Sequence, residues 1–332
     1  MRAMILEKPG PVSTLPLKQV EIPSPDPGPG QIAIKVAACG VCHTDLHTVE
    51  GDLYLPVLPV IPGHQVVGRV QQCGEGVTRF KVGDRVGVAW LHRTCGSCIF
   101  CSTGRENLCP MAEFTGLDRN GGYGEFTCAP ESFAYHLPDG FEDLQAAPLL
   151  CAGIIGYRAL RLTGLKSGGR LGFYGFGASA HVTIQLARHL GIEVYVFSRG
   201  ENHRKLAEEL GAVWTGRVPQ RPPRNLDASI VFAPSGELVP SALEVLERGG
   251  TLVLGGIHMS PVPALNYEKH LYYEKTIKSV TANTREDGEN FLELASAVPV
   301  QTRIVDRSLW EANTVLVDLK EGTINGAAVL VP

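Results

Sequence analysis

A chain of 332 residues is longer than one ordinary hydrophobic core, so two domains are expected. With 44% hydrophobic residues, 19% charged residues and a formal net charge of -4, the composition is ordinary for a globular protein; no basic stripe suggests nucleic acid, and strongly acidic or basic partners are not indicated. No stretch approaches about 18 uninterrupted apolar residues, which argues against a membrane-spanning helix. The opening MRAMILEKPGPV lacks the apolar run and small-residue cleavage site of a signal peptide, so a cytoplasmic location is the expectation. Nine cysteines, an odd number, then read as metal ligands or buried thiols and not as a disulfide framework.

Up to about residue 150 the chain carries short β-type runs, QIAIKVAACG, HQVVGRVQQCG, DRVGVAW and GGYGEFTCA, separated by Gly and Pro clusters. This pattern predicts a mostly antiparallel, partly barrel-like domain with few helices. The Pro-rich PSPDPGPGQ directly precedes a strand and reads as a rigid surface turn, not a linker. GVCHTDLH reads as an irregular loop that holds Cys42; His64 lies in PGHQVVG and Cys151 in LLCAGIIGYRAL. If these three converge, two sulfurs and one imidazole hold a tetrahedral zinc with one position open for chemistry. Cys95, Cys98, Cys101 and Cys109 form C-x2-C-x2-C-x7-C, a set that can close a structural zinc site with no room for water. An iron-sulfur cluster or free surface thiols are the alternatives. Cys39, Cys73 and Cys128 sit in apolar strand contexts and read as small buried hydrophobes.

Residues 153 to 282 alternate strand and helix: RLGFYG, ASAHVTIQLARHLG, EVYVFS, ENHRKLAEELGA, LDASIVF, ELVPSALEVLERGG and TLVLGG. Such alternation means βαβ units on a doubly wound parallel sheet. Gly175-Phe176-Gly177-Ala178-Ser179-Ala180 falls between the first strand and helix as a GxGxxA fingerprint, whose glycines let the backbone approach a dinucleotide pyrophosphate over a helix N-terminus. Alone it is a weak signal; its place after an apolar strand and before an amphipathic helix, with a second strand ending at Ser198, strengthens it. Beyond residue 283, NTREDGENFLELA and SLWEANTVLVDLKEG read as two helices around short strands.

Taken together, the segments around Cys42, His64 and Cys151, the four-cysteine lobe and the GxGxxA turn resemble the zinc-dependent alcohol dehydrogenases of the medium-chain dehydrogenase/reductase family over essentially the full length. The resemblance implies an α/β protein with a GroES-like catalytic domain at 1–152 and 283–332 and a Rossmann domain at 153–282. It implies one catalytic and one structural zinc per chain and a nicotinamide cofactor. Thr44 matches a hydroxyl that hydrogen-bonds the alcohol, His47 a histidine that passes its proton to solvent, and Asp45 a carboxylate behind the ligands. His43 matches a basic position facing the pyrophosphate, although an ordinary surface histidine or a satisfied core one is its plain alternative. Gly255 and Gly256 lie near the nicotinamide in relatives, or simply end a strand.

Leu53 and Trp90 match positions lining an apolar alcohol pocket, which suits small primary or secondary alcohols and their aldehydes or ketones. Relatives that use NAD(H) place an Asp where this chain has Ser198, followed by Arg199; a neutral donor and a cation there point to NADP(H), with NAD(H) or a site that takes both as the alternative. His203 and Arg204 can add positive charge nearby. Two departures stand out: Gln65 follows the ligand histidine where relatives have Glu, and Ala327 stands where relatives carry an Arg that contacts the pyrophosphate. A polyol or formaldehyde dehydrogenase of the same fold, or a zinc protein without catalysis, are the competing functions. A homodimer or homotetramer, with no nucleic-acid or membrane partner, is the implied assembly.

Overall fold

The eleven residues Gln31–Val41 form a strand buried at nearly every position, so more than one neighbour must cover and pair it. It pairs antiparallel with Gln65–Cys73, Phe126–Pro130 and Ala327–Val331. In a computed structural model that describes residues 1–298, 300–324 and 326–332, it is the centre of a seven-stranded sheet. The order along that sheet is Ile304–Ser308, Ala327–Val331, Gln31–Val41, Gln65–Cys73, Arg85–Val88 and Ala134–His136, with Phe126–Pro130 paired to the central strand. Only the pair at the C-terminal end of the chain is parallel among these pairings. Ile32, Ile34, Val36, Val66, Val70, Val86 and Val88 face a shared core, into which the helix Ala312–Glu321 adds Val315 and Leu316. Apolar burial of this kind contributes about 1.5–3 kcal/mol per large side chain before conformational entropy is counted. This unit comprises Met1–Cys151, Ala282–Glu293 and Gln301–Pro332.

The second unit, Ala152–Thr281 with Leu294–Val300, is built on a six-stranded parallel sheet. Its order is Trp214–Gly216, Glu193–Phe197, Arg170–Tyr174, Leu226–Val231, Leu246–Leu254 and Thr276–Ser279. Numbered within the unit this is 3-2-1-4-5-6, the doubly wound order whose switch point lies between the first and fourth strands. The fold class is therefore the α/β arrangement expected, a mostly antiparallel unit joined to a doubly wound parallel one. No helix among the described residues is long and apolar enough to cross a membrane.

Local readings needed correction at several places. GVCHTDLH is not a loop: His43–Glu50 is a helix capped by Cys42, whose Sγ accepts the Thr44 N–H at 3.4 Å while the Cys42 N–H donates to Asp45 Oδ2 at 2.9 Å. This is a capping box in which sulfur replaces the usual Ser or Thr hydroxyl, so the ordinary sequence signature is absent. In ELVPSALEVLERGG the helix stops at Glu244 and the strand begins at Leu246, drawn there by its pairing with Leu226. Two short strands, Trp214–Gly216 and Thr276–Ser279, carry too few residues to show a period. Of the three non-ligand cysteines only Cys39 is buried; Cys73 and Cys128 are half-exposed. Between Trp214–Gly216 and Leu226–Val231, RVPQRPPRN crosses over without a helix, although such crossovers usually carry one.

The four-cysteine lobe is tied to the helix Arg285–Ala297 by one ion pair. Arg285 donates from its backbone N and Nε to Glu106 Oε1 at 2.8 and 2.9 Å, and from Nη2 to Oε2 at 2.6 Å, with its guanidinium over the Phe133 ring. Burial pushes the Glu106 carboxyl up, but these Arg285 bonds hold it below the usual range. A carboxylate with a depressed folded-state pKa contributes stability above its unfolded value, about 4.3, and loses it as pH falls through the folded value. Since the Arg285 side chain is 41% exposed, solvent screening reduces what the pair is worth. Glu106→Gln is expected to cost about 1–2 kcal/mol at pH 7, and denaturant melts of the two proteins should draw together as pH falls below about 4.3 and coincide once it is below the depressed folded-state value.

Candidate functional site

Three segments of the first unit deliver the three ligands. Cys42 caps the helix His43–Glu50, His64 precedes the strand Gln65–Cys73, and Cys151 follows the turn Ala147–Leu150. Cys42 Sγ lies 3.4 Å from His64 Nε2 and 3.8 Å from Cys151 Sγ, and the three ligand atoms lie within 4.8 Å of one another. Zinc bonds of about 2.3 Å to sulfur and 2.0 Å to nitrogen, spread at tetrahedral angles, need edges of about 3.5–3.8 Å. The donor set and spacing therefore fit a zinc ion with its fourth position open.

Asp45 fixes the geometry. Its Oδ1 is 3.1 Å from His64 Nδ1 and its Oδ2 accepts the Cys42 N–H, so one buried carboxylate orients both ligands and directs His64 Nε2 toward the sulfurs. Without metal, burial pushes His64 toward neutrality, but the Asp45 carboxylate and the Cys42 thiolate outweigh it and hold the ring at about 10. The hydrogen bond from Cys151 pulls the Cys42 thiol down, with His64 helping, against burial. Metal binding here must displace protons. The Trp90 ring meets His64 edge-on at 5.0 Å and stacks on Phe114, an apolar wall against the ligand.

The neighbouring residues named by sequence fall around this centre. Thr44 is buried, with its backbone N–H on Cys42 Sγ. His43 is exposed at the first position of the helix and His47 lies one turn on, their rings 6.4 Å apart. Leu53 is half-buried in the irregular segment after the helix. Gln65 is 2% exposed and its Nε2 has no hydrogen-bond partner among the described residues. Gly40 opposite is required for this packing, since a Cβ there would come within 2.8 Å of Gln65 Oε1. Ala327 opens the strand Ala327–Val331. A residue the sequence did not bring forward is Asp52, whose Oδ2 is 2.8 Å from His47 Nδ1. Its only signal is an acid directly after Gly51, the glycine that ends the helix.

Cys95, Cys98, Cys101 and Cys109 form a second ligand set, with Cys95 and Cys98 sulfurs 3.9 and 3.5 Å from that of Cys101. These are edges of a tetrahedron around one ion; an iron-sulfur cluster, with each sulfur on a different iron, needs wider spacing. Backbone N–H groups of Cys98 and Met111 point at Cys95 and Cys109 sulfurs. Backbone hydrogen bonds at Ser97 and Cys98 pull the Cys95 thiol down to about 6.

In the second unit the GxGxxA turn sits at the switch point. Gly175 has φ +92°, and a Cβ on it would meet Ala233 at 3.0 Å, so glycine is needed where the first and fourth strands end. Gly177 caps the helix Ala178–His189 with no side-chain hydrogen bond, leaving its first N–H groups available to an anion. Ser198 follows the strand Glu193–Phe197, and its N–H donates to Gly216 O. Arg204 donates to the carbonyls of Ser198 and Arg199 at 2.8 and 2.9 Å, which orders that loop and places a cation under it. His203 lies against Gly200, and burial lowers its pKa. Gly255 donates its N–H to Val231 O at the end of the strand Leu246–Leu254.

Residues 28–139 match the alcohol dehydrogenase GroES-like domain family, and residues 178–297 the zinc-binding dehydrogenase family. The chain is 50% identical over 335 residues, 99% of its own length and 97% of the relative's, to a protein of Mycobacterium tuberculosis described as "Probable alcohol dehydrogenase AdhA". Among solved structures, a cinnamyl alcohol dehydrogenase of Sorghum bicolor superposes with TM-score 0.91 at 28% identity, covering 99% of this chain and 97% of that one. A cobalt- and zinc-bound thermostable alcohol dehydrogenase of Pyrobaculum aerophilum does so with TM-score 0.91 at 25% identity, covering 100% and 99%.

The two cysteine sets should respond differently to mutation. Cys42→Ser is expected to abolish turnover and leave about half the zinc, because one of only three protein ligands at an open site is lost. Cys98→Ser is expected to lower the melting temperature and cost on the order of several kcal/mol, because a closed site contributes its binding energy to folding. Zinc analysis and thermal melts on both variants check this; full stability in Cys98→Ser would refute the structural role.

Proposed function

The chain belongs to the zinc-dependent medium-chain alcohol dehydrogenases, and on that premise we propose that it interconverts small primary or secondary alcohols and their aldehydes or ketones. The observation that carries this is the convergence of Cys42, His64 and Cys151 at 3.4 and 3.8 Å with one tetrahedral position left over. When bound, zinc supplies a Lewis acid and the nicotinamide supplies or takes up the hydride. The protein's own residues do the rest. Cys42, His64 and Cys151 hold the ion and Asp45 keeps them oriented. Thr44 and His47 carry the alcohol proton outward, and Trp90 with Leu53 gives the substrate an apolar wall that favours small alcohols over polyols. Gln65 puts a neutral amide where a carboxylate would add negative charge, which leaves the metal more electrophilic.

The unit containing the seven-stranded sheet would then be the catalytic domain and the doubly wound unit the dinucleotide-binding domain. In the latter, Gly175, Gly177 and Ala178 would receive the pyrophosphate, with Gly255 near the nicotinamide. One zinc would occupy the open site and one the four-cysteine site. The exposed edge strand Thr276–Ser279 beside exposed Tyr267, Tyr272 and Tyr273 supports assembly into a homodimer or homotetramer.

NADP(H) is the proposed cofactor. The strand Glu193–Phe197 leads into Ser198 and Arg199, which put no carboxylate there to repel a 2′-phosphate, and Arg204 fixes both carbonyls while adding charge. A charge-assisted bond of about 1.5–3 kcal/mol corresponds to roughly tenfold to hundredfold preference. Aldehyde reduction with each reduced cofactor gives the test. Wild type should show the higher kcat/KM with NADPH, and Ser198→Asp should move the ratio toward NADH; a wild type that favours NADH would overturn the assignment.

A further inference from the structure

The helix His43–Glu50 ends in a way that builds a second acid into the active-site segment. Gly51, at φ 85°, donates its N–H to the carbonyls of His47 and Thr48, and the next N–H, that of Asp52, returns to the His47 carbonyl at 2.9 Å. A Cβ on Gly51 would sit 2.9 Å from Pro9, and the Gly10 N–H donates to Val49 O, so the turn is pinned from outside. With its backbone fixed on His47, Asp52 places Oδ2 2.8 Å from His47 Nδ1. The His47 side chain is 12% exposed and that of Asp52 is 42% exposed, so the pair runs from the interior to water.

We propose that Asp52 is a positioning residue for His47: its carboxylate holds the proton on Nδ1, which makes Nε2 the basic nitrogen that takes up the alcohol proton. This rests on the reading of His47 as the proton carrier. The carboxylate selects the tautomer, as a buried acid does for a general-base histidine. In each turnover the proton reaches Nε2 and leaves from Nε2 to water, while the Nδ1–H bond to Asp52 keeps the ring in one orientation and tautomer. His43, one turn back, is a further titratable neighbour of His47, and at the end of the same helix Glu50 holds Lys320 of the helix Ala312–Glu321.

The experiment measures kcat/KM for alcohol oxidation from pH 6 to 10 in wild type, Asp52→Ala, His47→Gln and the double variant. His47→Gln should lose about 10²-fold at the acid end and recover as hydroxide takes over. Asp52→Ala should lose about fivefold there, the size suited to a half-exposed partner, and recover in the same way. In the His47→Gln background Asp52→Ala should cost nothing further. Asp52→Ser, which keeps a polar surface, should repeat the single-variant result. If His47→Gln keeps the wild-type pH profile, the relay is wrong and this proposal goes with it. If His47→Gln is impaired and Asp52→Ala is not, or if the Asp52 defect is flat in pH or persists without His47, the relay stands and the role of Asp52 is overturned.

Discussion

Everything at the candidate metal site depends on the buried carboxylate of Asp45. It accepts a hydrogen bond from the Cys42 backbone N–H on one oxygen and faces His64 Nδ1 with the other, at 2.9 and 3.1 Å. A carboxylate 2% exposed is costly unless its lone pairs are occupied, and here both oxygens have a partner. The same bond from Cys42 closes the capping box that starts the helix carrying Thr44 and His47. One interaction therefore starts a helix, aims a thiolate and aims an imidazole. The strand pairing Gly40↔Gln65 then fixes the distance between the two segments, because both ligands lie beside that pair of residues.

The second unit solves a different problem, that of presenting backbone N–H groups to an anion. Parallel strands in the order 3-2-1-4-5-6 leave a crevice at the switch point, and Gly175 lies there with no room for a side chain. Tyr174 and Phe197, the last residues of the first two strands, stack at 4.3 Å with nearly parallel rings. They help fill the face that a helix would otherwise cover, since the RVPQRPPRN crossover carries none. Ser198 and Arg199 follow that stacked pair directly, so their loop has a rigid base.

Ligand chemistry was legible in the sequence because residue type carries it: a cysteine or histidine at a metal-ligand spacing has few other reasons to be there. The alternation after residue 153 was legible because long βαβ periods survive local noise. The helix at His43 was not, since its cap is a sulfur, and rules for helix starts look for oxygen. The start of the strand at Leu246 was hidden because LERGG continues a helical pattern, and only pairing with Leu226 pulls it into the sheet. Arg204 was visible as a charge but not as a donor to two carbonyls, which depends on the turn at Gly200. Asp52 escaped because its meaning depends on a helix end that had not been expected.

The most direct measurement of the central claim is zinc K-edge absorption on the purified protein, with metal counted per chain. Two zinc ions are expected, and their averaged first shell should hold roughly three sulfurs at about 2.3 Å and one nitrogen or oxygen at about 2.0 Å, the mean of an open two-thiolate site and a closed four-thiolate site. A single zinc surrounded by sulfur alone, or no zinc bound at Cys42, His64 and Cys151, would contradict the account.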